Sequence, residues 1–406
     1  MSHVIAEQST PTKHPGSVAE VFLVFLRLGL TSFGGPIAHL GYFRTAFVTR
    51  RRWLTETAYA DLVALCQFLP GPASSQVGMA IGLQRAGLLG MLAAWCAFTL
   101  PSALLLVAFA YTVTALGDLS EAGWVLGLKA AAVAVVAQAV LGMARTLTPD
   151  RRRATIAGAA AIAVLLATNP ALQVAVIAAA GIVGYFWLRP ADTPRNDTSF
   201  TVRIPRPLAV SALVTYGALL AGLPAVAALT SDGSVRLFGI FYQAGALVFG
   251  GGHVVLPLLE TQTVPTHLVG HDDFLAGYGA AQAVPGPLFT FAAFLGAVNN
   301  GSPTGVLGAS IATIGIFLPA ALLVIGALPF WQALRNLPGA QRALMGLNAG
   351  VVGLLAAALY NPVFTEGIKS ATALAVAIAA LIALTRWAAP PWAVVIGAGI
   401  LGQFIL

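Results

Sequence analysis

Residues 25–35 read FLRLGLTSFGG, and residues 241–251 read FYQAGALVFGG. Phe25, Gly29, Phe33, Gly34 and Gly35 of the first stretch recur as Phe241, Gly245, Phe249, Gly250 and Gly251 of the second. Outward from this pair the correspondence continues. Gln67-Phe-Leu-Pro-Gly-Pro72 recurs as Gln282-Ala-Val-Pro-Gly-Pro287, and Leu100-Pro101 as Leu318-Pro319. Gly127-Leu-Lys-Ala130 matches Gly346-Leu-Asn-Ala349, and Gly181-Ile-Val-Gly184 matches Gly399-Ile-Leu-Gly402. The offset stays between 215 and 219 residues throughout. Chance similarity between apolar helices does not hold one register over such a length, so the chain is read as a duplication.

Composition fixes the solvent in which the duplicate folds. Of 406 residues, 58% are hydrophobic and only 9% charged; soluble domains carry about a quarter charged residues. Mean hydropathy is +0.86, and the 43 glycines and 24 prolines fit membrane helices, where neighbouring helices re-satisfy freed backbone groups. The formal charge of +7 comes from basic residues in loops between apolar runs, which points to cytoplasmic anchoring and away from nucleic acid. Cys66 and Cys96 both lie in apolar runs, so neither a disulfide framework nor a metal site is expected. Residues 1–17 are polar and are expected to form a disordered cytoplasmic N-terminus without a cleavable signal peptide.

The expected fold is an all-α polytopic membrane protein. Residues 18–188 form a first repeat with apolar segments near 18–49, 57–84, 87–115, 122–144, 154–168 and 171–188. A basic cytoplasmic linker, 189–206, carries Arg189, Arg195, Arg203 and Arg206, and one unpartnered apolar run, 207–230, is long enough to span. The second repeat is 231–406. Six segments return the chain to its starting side, so the single extra helix delivers the second copy upside down, a recurrent plan of secondary transporters. As one straight helix, residues 18–49 would run about 48 Å, too long for a core of about 30 Å. If the first two segments of each repeat are instead re-entrant hairpins, Arg50–Arg52, Arg85, Arg145, Arg151–Arg153, Arg335, Arg342 and Arg386 fall on one face. Asp118, Glu121, Asp232, Glu260, Asp272, Asp273 and Glu366 then fall on the other, with Arg236 and Lys369 as the clear basic exceptions. Full crossings would put Arg50–Arg52 outside, against the positive-inside rule, so hairpins are the preferred reading.

Candidate chemistry lies at the breaks. In Ser32-Phe33-Gly34-Gly35-Pro36 two glycines interrupt a helix and a proline suits the first position of the next. Free N–H groups and a positive helix end near mid-membrane make an anion site. Pro70-Gly71-Pro72 does the same, with the Ser74 and Ser75 hydroxyls in the first turn beyond. The second copy supplies Phe249, Gly250 and Gly251 and then Pro285, Gly286 and Pro287. Kinks for close packing are the structural alternative. Arg27 and Lys129 stand inside apolar helices, where a charge costs about 2.5–3.5 kcal/mol and usually faces a cavity or a partner. Glu20, seven residues before Arg27 on the same helix face, offers a purely structural pairing. Their counterparts, Gln243 and Asn348, are neutral, which suits one asymmetric anion site. Gln67 and Gln282 precede the Pro-Gly breaks and either donate to an anion or cap the broken helix. Arg44 is read as snorkelling; Asp61 as a solvated helix start, with proton relay or balance of Arg27 as the alternatives; His39 and His253 as packed, with titration near neutral pH as the alternative; and Cys66 as core.

The duplicated FGGP/FGGG break followed by Leu-Pro-Gly-Pro and Val-Pro-Gly-Pro resembles the long-chain chromate ion transporter family over essentially the whole chain from about Val18. The resemblance implies an inner-membrane protein that confers chromate resistance by export, with thirteen membrane segments arranged six plus one plus six. Gly252 stands where the first copy has Pro36, so the second break is expected to be looser. The family also has members linked to sulfate, and that ion stays open, as do a proton as coupling ion and a homodimer.

No cofactor is expected. The chain contains no Walker-type phosphate loop. A dianion leaving a cell at −100 mV gains about 4.6 kcal/mol, taking about 2.3 per charge. At about 1.4 kcal/mol per decade this sustains roughly a thousandfold gradient. An intramembrane enzyme is disfavoured: no HExxH, no paired intramembrane aspartates and no Ser/His pair at a suggestive spacing are present. A channel remains the other alternative, since broken helices also line pores.

Overall fold

The computed structural model describes residues 16–117, 122–166, 170–189, 200, 202, 204–230, 232–249, 251–334 and 337–406. The expected N-terminal tail, most of the linker (Arg195 and Arg203 included), Asp118, Glu121, Arg335 and Gly250 lie outside the described residues. Among those described, every regular element is helical. In chain order they are α1 (Val18–Thr31), α2 (Gly35–Phe43, continued by a π-helical turn, Arg44–Arg50), α3 (Glu56–Phe68), α4 (Ala73–Leu116), α5 (Gly123–Leu147), α6 (Arg151–Leu166), α7 (Pro170–Trp187) and α8 (Arg206–Leu229). Then follow α9 (Gly233–Leu247), α10 (Val255–Thr263), α11 (His271–Ala283), α12 (Phe291–Val298), α13 (Gly305–Ala327), α14 (Trp331–Leu334), α15 (Pro338–Ala358), α16 (Thr365–Gly367), α17 (Ala371–Thr385) and α18 (Pro391–Ile405). Among the described residues five helices are long and apolar enough to cross a membrane: Ala73–Leu116, Gly123–Leu147, Arg206–Leu229, Gly305–Phe330 and Pro338–Gly367. Shorter apolar helices accompany them, and the chain is a multi-pass membrane protein.

The segment 18–49 does not run straight through. The Phe25 ring on α1 lies 5.7 Å from Phe43 and 5.1 Å from Phe47, so the chain folds back at Phe33-Gly34-Gly35. Gly34 (φ 100°) and Gly35 (φ 76°) take the left-handed backbone that this reversal needs. The second hairpin returns to the same face. The Gly16 N–H donates to the Arg85 carbonyl (3.0 Å), the Arg85 guanidinium stacks 4.5 Å above the Trp53 ring, and it bridges to Glu20. In the other half the Asn300 N–H donates to the Leu268 carbonyl at 2.8 Å, so α11 and α12 also form a hairpin. Uninterrupted crossing by these segments, which the six-plus-one-plus-six arrangement implies, is therefore corrected.

Nor is α4 one rod. Ala86 (φ −145°) and Gly87 (φ 67°) are non-helical, and the chain reverses there, pressing the Gly82 and Gly90 backbones together. A methyl group on either would overlap the other's carbonyl. From Leu88 the second arm of α4 runs to Tyr111, about 35 Å at 1.5 Å per residue. There the Tyr111 hydroxyl meets Gly305, next to the loop whose Ser302 carbonyl packs on Gly233. Hence α1 begins at one face of the molecule and α9 at the opposite one.

Packing exchanges elements between the halves. Helix α5 packs on α17 and α18, and α15 on α6 and α7. The crossing points are small residues: Gly127 faces the Ala398 carbonyl and Gly402, while Gly346 faces the Ala180 carbonyl and Gly184. Two of the repeated motifs are thus the two sides of one contact, made twice. Without glycine these backbones could not approach so closely. Helix α8 buries only 6% of its most apolar stretch and packs on α9 and α13 at the periphery.

Candidate functional site

The four helix breaks meet. The Gly71 N–H donates to the Val248 carbonyl at 2.7 Å, and the Gly286 N–H to the Ser32 carbonyl at 2.9 Å. Each Pro-Gly-Pro loop is thereby tied to the Phe-Gly-Gly break of the opposite half. Pro36 packs against Gly252, whose other neighbours are Leu288 and Phe289 beyond the second Pro-Gly-Pro. His39, fully buried, closes the ring: its Nε2 lies 3.2 Å from the Ser32 carbonyl and its Nδ1 3.4 Å from Ser74 Oγ. Packed and partnered, His39 fits its reading as core, and Cys66 is likewise buried. His253 is partly buried and bonds the Tyr278 hydroxyl at 2.7 Å.

Local sequence explains the loops. Gly71 (φ 116°) and Gly286 (φ 99°) sit in left-handed conformations, and each lies beside the proline inside a long helix, Pro319 of α13 and Pro101 of α4. Gly286 faces the Phe98 carbonyl and Ser102, and Gly71 faces Ala320. Helix α2 starts at Gly34 and α4 at Pro72, neither with a side-chain cap, so their first-turn N–H groups remain available for an anion. Open space adjoins Gly35. Ser32 Oγ, Ser75 Oγ, Thr99 Oγ1 and Gln282 Nε2 are buried without a hydrogen-bond partner. Such orphaned groups cost about 1–3 kcal/mol each unless a partner satisfies them.

Not every expected site residue joins this ring. Ser32, Gly35, Pro36, Gly71, Pro72, Ser74, Gly251 and Gly286 lie in or beside it, while the Phe33 ring lies 5.6 Å from that of Trp392. Gly251 faces Met143 of α5. Gln243 and Phe249 are partly buried, Pro285 and Pro287 buried, and Gln67 exposed, unlike its counterpart Gln282. Arg27 lies on the exposed stripe of α1 with Leu23 and Leu30. Its expected partner Glu20 is taken by Arg85. The apolar flanks of Lys129 predict a place well inside its helix. The lysine is instead the seventh of 25 residues in α5, near the helix start, and its Nζ is 2.6 Å from Asp272 Oδ1. Eleven residues separate Asp272 from the end of α11, so this pair stands about 16 Å from the breaks at 1.5 Å per residue. Asn348 is partly buried with Oδ1 unpartnered.

Two other readings change. Arg44 pairs with Glu56 at 2.6 Å and does not merely snorkel. Asp61 is no free helix start: its carboxylate accepts from Trp331 Nε1 and from the Phe200 N–H, both at 2.9 Å. Thr99 and Ser102 flank Leu100-Pro101, a pair that in the sequence marks only the repeat register. The signal was the proline itself, which opens a helix beside two hydroxyl residues.

The family described as chromate transporter matches residues 19–185 and again 235–403, once on each side of the linker and α8. The chain belongs to the chromate transporter family. It is 29% identical over 363 residues to a chromate transport protein of Pseudomonas aeruginosa, covering 84% of this chain and 80% of that one. The chromate transport protein of Cupriavidus metallidurans is 27% identical over 361 residues, 87% and 84% of the two chains. An uncharacterized transporter of Bacillus subtilis, YwrA, is 31% identical over 178 residues, 43% of this chain but 97% of its own. No solved structure matches.

Proposed function

We propose that this chromate transporter family member is a secondary transporter that exports chromate across the inner membrane, with its N-terminus in the cytoplasm. The observation that carries this reading is the convergence of four helix breaks, cross-tied at Gly71–Val248 and Gly286–Ser32, around buried donors without partners. A tetrahedral dianion offers lone pairs in every direction. The α2 and α4 N-termini, the Ser32, Ser75 and Thr99 hydroxyls and the Gln282 amide supply donors of matching number. Residues 18–188 and 231–406 are read as two inverted repeats joined by the linker and α8. The opposite starting faces of α1 and α9 and the exchanged pairs α5–α18 and α15–α7 support that reading. Inverted repeats permit alternating access by rocking one half against the other around a fixed midplane site.

Arg27 supplies long-range countercharge from the α1 surface, and Gln243 holds the matching position in the second half. The family relationship supports chromate as cargo. Sulfate has the same shape and charge, and competition between the two for uptake into inverted vesicles ranks them. The test is labelled chromate flux in proteoliposomes with membrane potential and pH gradient imposed separately. Saturable flux driven by an interior-negative potential is expected. Single-channel currents with non-saturating flux would replace the transporter by a channel.

A further inference from the structure

Away from the breaks, one charged cluster joins the two halves at the face where α5, α9 and α11 begin. Lys129 Nζ bonds Asp272 Oδ1 at 2.6 Å, and the two side chains differ sharply in exposure, 4% for the lysine and 47% for the aspartate. Glu366 pairs with Lys369 at 2.7 Å, and Gly367 between them packs on the Lys129 backbone carbonyl and on Val133. His271 Nε2 is buried there without a partner, and Asp273, the residue after Asp272, is engaged as well. Around Lys129 stand Asp272 and His271 from α11, with Asp273 next along that helix, and Glu366 and Lys369 from the α16 loop.

The fold itself does not require this ion pair. At the matching offset the second half has Asn348 for Lys129, and the first half has Thr57, beside Glu56, for Asp272. Glu56 bonds Arg44 of its own hairpin, and Asn348 Oδ1 has no partner. One copy of the scaffold thus stands without an ion pair between the halves at this position. What the first copy adds is a buried ammonium whose carboxylate partner is open to solvent on its far side. A buried cation needs an anion beside it, and a tetrahedral oxyanion satisfies that need as well as a carboxylate does. The second cation, Lys369, stands in the same cluster.

Resting on the oxyanion-transport reading above, we propose that Lys129 is a docking point for the oxyanion at this mouth and that Asp272 is its resident competitor. The ion enters or leaves the path by taking the place of the Asp272 carboxylate on the ammonium, and the pair re-forms behind it to close the two halves. Lys129 and Lys369 bind the ion; Asp272 is a positioning residue that never touches it.

The experiment measures chromate flux against concentration in proteoliposomes for the wild type, Asp272→Asn, Lys129→Gln and the charge exchange Lys129→Asp with Asp272→Lys. Removing the competitor in Asp272→Asn lowers the half-saturating chromate concentration by about tenfold, equivalent to about 1.4 kcal/mol. Lys129→Gln raises it. The exchange variant keeps an ion pair, and so the fold, even if a single variant does not assemble, yet it leaves flux impaired because the ammonium has moved to the other helix. Wild-type flux in the exchange variant, or an unchanged half-saturation in Asp272→Asn, overturns the proposal and leaves the pair a brace. If the wild type itself carries no chromate or sulfate, the transport reading falls and takes this inference with it.

Discussion

Gly286→Ala is the sharpest perturbation of the cross-tied breaks. Gly286 has φ 99°, and an L-residue held in the left-handed region costs about 1–2 kcal/mol. The added methyl would also stand 2.7 Å from Ser102 Oγ, with the Phe98 carbonyl and Ser102 Cβ at 3.2 Å. To make room the Ser102 hydroxyl must turn from its hydrogen bond to the Thr99 carbonyl (3.0 Å), which costs about 0.5–1.5 kcal/mol more. The expected destabilisation is about 1.5–3.5 kcal/mol, together with a loosened Gly286–Ser32 tie and reduced flux. Gly35→Ala isolates the first contribution, since Gly35 shares a positive φ (76°) but has open space around it. Ser102→Ala removes the second, so Gly286→Ala with Ser102→Ala should show a coupling of about 1 kcal/mol in a double-mutant cycle. The assay is denaturant unfolding in detergent followed by tryptophan fluorescence, with Gly217→Ala on open α8 surface as the neutral control. Equal stability of Gly286→Ala and Gly35→Ala, with no coupling to Ser102, would refute the packing described at this loop.

Other outcomes follow from the same geometry. Cysteines at Trp53 and Arg85, whose side chains stack at 4.5 Å, should be joined by a short bifunctional thiol reagent in membranes; an unlinked pair favours full crossing by segment 18–49. Asp61→Ala removes the acceptor of both Trp331 and Phe200, at about 1–3 kcal/mol, and should speed protease cleavage in the linker; unchanged cleavage means the linker is held elsewhere. Gly127→Leu and Gly346→Leu each force apart a backbone contact between halves and should lower folded yield in detergent far more than Gly217→Leu. Arg27→Gln should abolish chromate flux while leaving membrane insertion intact, and wild-type flux in that variant removes Arg27 from the transport path.

The linear sequence determined a good deal. A constant repeat offset announced the duplication. Composition announced the bilayer, and glycine beside proline located the breaks, because backbone conformation at such positions is set by local sterics. The hairpin folding of segment 18–49 was legible too, since a 32-residue helix overshoots the hydrocarbon core and three arginines close it. What the sequence could not supply was partnership between distant residues. Lys129 looked central because its neighbours along the chain are apolar, but its depth is set by where α5 begins and its partner lies 143 positions away. Arg27 looked interior for the same reason, and the face it takes follows from how α1 packs on α4. Asp61 looked solvated until a tryptophan from the other half reached it. Local chemistry fixes where a chain must bend; which surfaces then meet depends on the exchange of helices between halves, and only the assembled structure decides that.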